Sequence, residues 1–151
     1  MAKYYMLNKP RGCITARRDP RHSTVMDIFP NEMRDVLFPI GRLDKDTEGL
    51  LLVTDDGVLC ARLLNPEHKV QKEYFFYALG ELSEDLRRQI EEGIKLYPTH
   101  DYVSSPATVT ICGRSTLSDI KTLLCADVLK KANRRPNTPV FFGTVTVTEG
   151  K

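Results

Sequence analysis

A polar, charged loop lies between two apolar runs in the segment Gly41-Arg42-Leu43-Asp44-Lys45-Asp46-Thr47-Glu48-Gly49. Loops held on a rigid scaffold are where catalytic groups collect. Arg42 and Asp44 flank a leucine, so an extended backbone points both to one side. Taken alone, such a pair is more often a structural ion pair than a reacting carboxylate beside an anion-binding arginine. A hydrolase built on Asp44 as nucleophile would need a general base or a metal set beside it, and the sequence offers neither. Tyr74 lies in Tyr74-Phe75-Phe76-Tyr77, which by itself reads as core aromatics.

Other reactive residue types argue mainly by their spacing. The four cysteines, at 13, 60, 112 and 125, contain no CxxC pair, so zinc and thioredoxin-type chemistry lack support. Cys60 and Cys125 sit in apolar helical patterns and are expected to be buried thiols. The three histidines, His22, His68 and His100, are far apart in loop-like sequence and read as surface. Neither a metal-ligand cluster nor a phosphate-cradling glycine loop is visible.

Alternating strands and helices must position the charged loop. Residues 3–8 are β-rich and end at the turn signal Lys9-Pro10-Arg11-Gly12. Ser23 or Thr24 can cap a short helix that Pro30 stops. Residues 36–40 lead into the loop, and 50–54 form a continuous apolar run expected to be a strand buried on both faces. Asp55-Asp56-Gly57 turns the chain and can cap a helix over 58–64. Residues 70–79 are strand-like. Ser83 opens an amphipathic helix carrying Leu86 and Ile90, and Gly93 ends it. Residues 107–112 and 140–148 alternate as strands. The spacing of Ile120, Leu123, Leu124, Val128 and Leu129 predicts one helix over 117–132. The expected class is α+β, with a mixed, mainly antiparallel sheet flanked by helices.

Composition bounds the function. The chain of 151 residues suits one domain, and 41% apolar with 28% charged residues is ordinary for a folded protein. No apolar run approaches the ~20 residues of a membrane span. No secretory signal opens the chain, because Lys9 and Arg11 interrupt the early apolar residues. The formal charge of +2 argues weakly for a polyanionic partner. Its distribution says more: Lys9, Arg11, Arg17, Arg18 and Arg21 form one cluster, and Lys130, Lys131, Arg134 and Arg135 a second, while acidic residues gather at 81–92. Such clusters are as often solvated surface as binding sites.

A resemblance decides between these readings. Gly41-Arg42-Leu43-Asp44, then Thr47, Gly49-Leu50 and an apolar strand ending Thr54-Asp55-Asp56-Gly57, resembles the signature of pseudouridine synthases, in the branch that modifies ribosomal RNA. Asn8-Lys9-Pro10-Arg11-Gly12 is similar to the family's opening motif, and Lys72-Glu73-Tyr74 to its Lys-x-Tyr motif. The resemblance covers residues 4–151. It implies that Asp44 is the catalytic carboxylate, Tyr74 the active-site tyrosine and Arg42 the motif arginine. These three are expected to converge on one cleft, with the strands at 50–54 and 70–79 close in one sheet.

The implied reaction breaks a C–N glycosidic bond, turns the uracil and rejoins it through carbon. The target uridine must leave its stack, at a cost of a few kcal/mol. Positive charge develops at the sugar, and a carboxylate can stabilise or trap it. Asp44 would either attack the ribose or promote elimination to a glycal. Tyr74 would pack on the flipped uracil. Arg42 would contact phosphate or fill the vacated space, since its planar fork both binds phosphate and stacks. Lys9, Arg11 and Lys72 are further RNA-backbone candidates. An isomerisation needs no cofactor, and the resemblance implies a cytoplasmic monomer acting on structured RNA. Thr148-Glu149-Gly150-Lys151 resembles the opening of a third motif, whose later basic residue pairs with the carboxylate. The chain is therefore expected to be a catalytic domain lacking its C-terminal part and an N-terminal S4 domain, and a poor enzyme alone. The alternative is a non-catalytic RNA-binding module on the same fold.

Overall fold

Six strands and four helices arise from these patterns in a computed structural model that describes residues 1–95, 102–124, 129–130 and 136–149. They are β1 (Tyr4–Lys9), α1 (Asn31–Arg34), β2 (Phe38–Ile40), β3 (Gly49–Thr54), α2 (Gly57–Leu64), β4 (Lys72–Leu79), α3 (Glu84–Glu92), β5 (Thr108–Thr116), α4 (Leu117–Ile120) and β6 (Pro139–Val147). The α+β class holds. The strands divide into two antiparallel three-stranded sheets, ordered β1-β3-β2 and β4-β6-β5. Each belongs to its own compact unit, the first spanning Met1–Val70 with Glu149, the second Gln71–Thr148.

In the first unit, strand alternation sends Tyr5 and Leu7 of β1 and Leu51 and Val53 of β3 to one face. There they meet Cys13, Val25, Met26, Phe29, Met33 and Leu37. Val25 and Met26 reach this core on a 3₁₀ turn, Val25–Ile28. Thr24 caps that turn: its hydroxyl accepts from the Met26 N–H, and Asp27 accepts from the Thr24 N–H. Burying each such apolar side chain contributes about 1.5–3 kcal/mol. β3 departs from the expectation of two buried faces. Leu50 is 67% exposed and Met6, opposite Leu52 on the same face of the neighbouring strand, 82%. A continuous apolar run does not specify cover on both faces, and here only the Leu51 and Val53 side is covered.

Asp56 caps α2, its carboxylate accepting from the Leu59 N–H at 2.9 Å. Cys60, expected to be buried, is partly buried, and burial pushes its thiol pKa up. Cys13 is the buried thiol. His22 and His68 are exposed, as expected, while His100 and Cys125 lie outside the described residues.

The second unit is built on β6, which pairs with β4 on one side and β5 on the other. β5 runs to Thr116 through a bulge between Ile111 and Gly113, longer than the 107–112 expected. Ser83 caps α3, and Gly93 follows its end. The single helix expected over 117–132 is broken. α4 lasts one turn, a 3₁₀ turn follows at Lys121–Leu123, and Leu124 is extended at φ −97° and ψ 143°. Leu117, Ile120 and Val140 form the small core this segment covers, with Leu124 and Leu129 packed against it. Val128 and the basic residues Lys131, Arg134 and Arg135 lie outside the described residues. No helix among the described residues is long and apolar enough to cross a membrane.

Candidate active site

The charged segment is the connection between β2 and β3, residues 41–48, and those two strands pair antiparallel. Glycine stands at both ends of the turn path for a conformational reason. Gly41 has φ +82° and Gly49 φ +118°, backbone that a side chain would strain. Within the loop, Asp44 opens a four-residue turn in which the Thr47 N–H donates to the Asp44 carbonyl at 3.1 Å. Aspartate is favoured at that first turn position.

Burial alternates through Arg42, Leu43 and Asp44. Leu43 packs against the core of the first unit, whereas Arg42 and Asp44 are exposed. Neither of their side chains has a hydrogen-bond or ion-pair partner among the described residues. The structural ion pair, the commoner reading of such spacing, is therefore not formed. A carboxylate and a guanidinium stand open to solvent on either side of Leu43 in sequence. Two shallow hollows of the first unit, one along α2 near Ala61 and His68 and one among Arg17, Arg18 and Arg34, include neither residue.

The segment after β1 holds this loop. Lys9 is 0% exposed. Its ammonium donates to the carbonyls of Thr47 at 2.8 Å, Pro10 at 3.1 Å and Lys45 at 3.2 Å. An ammonium has three protons, so all are used within the chain. Lys9 was expected at an RNA backbone; its burial and three carbonyl acceptors leave it no free donor for phosphate in this structure, and it acts on the loop. Arg11 is also turned toward the loop, with Nε donating to the Asp46 carbonyl at 3.1 Å and a guanidinium nitrogen 3.7 Å from Glu48. The Gly12 N–H donates to the Lys45 carbonyl at 2.9 Å. On the other side of Asp44, the Thr15 hydroxyl bonds both peptide groups of Leu43. Sequence reading passed over Thr15, because nothing in the local pattern couples it to a residue 28 positions away.

Tyr74 and Lys72 lie on β4, in the second unit, on one side of that strand. Tyr74 is half-buried and sits opposite Val145 of β6. The expectation that the strands at 50–54 and 70–79 neighbour each other in one sheet is not met, because β3 and β4 belong to separate three-stranded sheets. Phe75 and Tyr77, on the opposite side of β4 from Tyr74, make an aromatic contact with centroids 5.1 Å apart. Among the described residues no group of His, Cys, Asp or Glu is arranged to hold a metal ion.

The α+β chain thus presents an unpaired carboxylate and arginine on a braced loop between β2 and β3. Comparison with known proteins narrows the class. Residues 3–140 match the family described as RNA pseudouridylate synthase, and the chain belongs to that family. An uncharacterized RNA pseudouridine synthase of Bacillus subtilis is 38% identical over 149 residues, covering 98% of this chain and 52% of the relative. The ribosomal small subunit pseudouridine synthase A of Pseudomonas aeruginosa is 38% identical over 122 residues, covering 78% of this chain and 53% of its own. A crystal structure of a pseudouridylate synthase superposes with a TM-score of 0.72 at 28% identity, over 100% of this chain and 53% of that one. The chain thus spans about half the length of the proteins it matches.

Proposed function

We propose that this chain carries the reacting carboxylate of an RNA pseudouridine synthase, with ribosomal RNA as substrate. The observation that carries the reading is the state of Asp44: exposed, without a partner among the described residues, on a loop braced through Lys45 and Thr47 by the buried Lys9. The relatives named as ribosomal small subunit and large subunit synthases support the substrate class. In the reaction, the uridine N1–C1′ bond breaks and the freed uracil turns. A C5–C1′ bond then forms, and the C5 proton moves to N1, so atoms balance without a cofactor. Asp44 would stabilise or trap the electron-poor C1′ centre. Arg42 would bind phosphate or occupy the space of the extruded nucleotide. Tyr74 would pack on the uracil, and Arg11 and Lys72 are the remaining backbone contacts.

The test is Asp44→Asn, which removes charge and nucleophilicity at nearly constant shape. Pseudouridine is counted by nucleoside mass spectrometry after incubation with ribosomal RNA, and RNA affinity is measured in parallel. The expected result is loss of product with affinity retained. Substantial turnover by the Asn variant would remove Asp44 from its role. RNA binding without any product, both from the unaltered chain and from the chain extended through the third motif, would favour a non-catalytic RNA-binding module.

A further inference from the structure

The Thr15 side chain meets the candidate loop at a single residue and bonds it twice. Its Oγ1 donates to the Leu43 carbonyl at 2.7 Å and accepts from the Leu43 N–H at 3.1 Å. A hydroxyl has one proton to give and lone pairs to receive, so one atom serves both groups. Leu43 needs such a partner. The ladder between β2 and β3 ends at the pair Ile40 and Leu52, three residues before it. Thr15 supplies what a neighbouring strand would otherwise supply.

Thr15 is itself anchored. The preceding Ile14 forms a parallel bridge with Thr24. The Ile14 N–H donates to the Ser23 carbonyl at 2.9 Å, and the Val25 N–H to the Ile14 carbonyl at 3.0 Å. Thr24, Val25 and Met26 are buried. A continuous path therefore runs from the core through Ile14 and Thr15 to Leu43. The Leu43 side chain packs against the same core. Leu43 is held at both peptide groups and at its side chain, while the side chains of its two neighbours, Arg42 and Asp44, have no partner among the described residues. Lys9 and Gly12 hold the loop after Asp44, at Lys45 and Thr47; Thr15 holds it before Asp44.

We infer that Thr15 is a positioning residue for the reaction: by fixing Leu43 it sets the direction from which Asp44 and Arg42 meet the substrate. The inference rests on the reading of Asp44 as the reacting carboxylate. Reacting groups held about 1 Å out of place lose on the order of 100-fold in rate, even when substrate still binds.

Thr15→Val removes both bonds and keeps the branched shape; Thr15→Ser keeps the hydroxyl. Three quantities are measured on this chain: the single-turnover rate on ribosomal RNA, RNA affinity, and amide hydrogen exchange at Leu43. The expected result is a rate at least about 10-fold lower for Val, with affinity within about 2-fold, because the loop's charges remain. Leu43 exchange should be faster in Val, and Ser should recover both rate and protection. A Val variant with unaltered rate, an equally slow Ser variant, or unchanged Leu43 exchange would overturn the inference. An unaltered chain that neither binds ribosomal RNA nor forms any pseudouridine would instead sink the proposed function, and the Leu43 exchange would still decide whether Thr15 holds the loop.

Discussion

The Lys9 ammonium donates to the Thr47 carbonyl at 2.8 Å across 38 residues of sequence, and two further carbonyls complete its shell. A charge taken fully out of water is costly unless every proton finds an acceptor. Here the acceptors are the backbone of the candidate loop, so folding the first unit and shaping that loop are one event.

Lys9→Met keeps length and apolar stem but removes the donor to the Thr47 carbonyl, while the Lys45 and Pro10 carbonyls keep the Gly12 N–H and the Cys13 thiol. The expected loss is about 1–3 kcal/mol in urea unfolding, the range for orphaned buried polar groups. Residues 44–47 should also gain hydrogen exchange. An unchanged midpoint with unchanged exchange would show that water replaces the ammonium without consequence.

Arg42→Ala should behave in the opposite way. Arg42 is exposed and has no partner among the described residues, so unfolding should stay within about 0.5 kcal/mol of the parent. Turnover on RNA should fall on the order of 10-fold or more, from lost phosphate binding or stacking. A stability loss without a loss of turnover would assign Arg42 to the fold.

Asp56 links stability to pH. Its carboxyl is held below the usual range, chiefly by the Leu59 N–H and then by the Tyr4 hydroxyl, which donates at 2.8 Å. A lowered carboxyl stabilises the fold above its unfolded value of about 3.9, and that contribution is lost as pH falls through the folded value. The Tyr4 phenol is pushed up, first by its hydrogen bond to Asp56. Its contribution is present below its unfolded value of about 10 and fades as pH rises through the folded one. Asp56→Asn keeps a capping side chain without the titration. Unfolding followed across pH should show a shallower acid limb for Asn than for the parent, and parallel limbs would exclude Asp56.

Two glycines should respond with opposite sign to alanine. A Cβ at Gly143, mid-β6, would lie 2.0 Å from the Thr110 carbonyl oxygen and 3.0 Å from Ile111 Cα. Backbone must move, and Gly143→Ala should cost at least the ~1–3 kcal/mol of overpacking. Gly57, first residue of α2, has no atom within 4 Å of its would-be Cβ. Gly57→Ala should stabilise by about 0.4–1 kcal/mol, chiefly by restricting the unfolded chain. Thermal unfolding of both variants checks the contrast.

Much of this protein is legible in local sequence because its causes are local. Thr24, Asp56 and Ser83 cap the turns and helices they were expected to cap, since a short polar side chain reaches N–H groups only two or three residues on. The ordered motifs around Asn8, Asp44 and Tyr74 were enough to suggest the family. What sequence could not supply is whatever depends on partners distant along the chain. An apolar run at 50–54 does not say that Leu50 stays exposed, because strand alternation names two faces and only tertiary packing says which is covered. Helical spacing over 117–132 predicts one helix, yet the chain leaves helical geometry at Leu124, where α4 and its 3₁₀ turn pack against Val140 of β6. Lys9 reads as an RNA-backbone contact or a solvated charge until the fold closes Pro10, Lys45 and Thr47 around it, and Thr15 has no reading until it meets Leu43. Residue types determine which groups can donate, accept or carry charge; only the folded chain decides which of them meet, because hydrogen bonds and burial act over a few ångströms of space and not along the sequence.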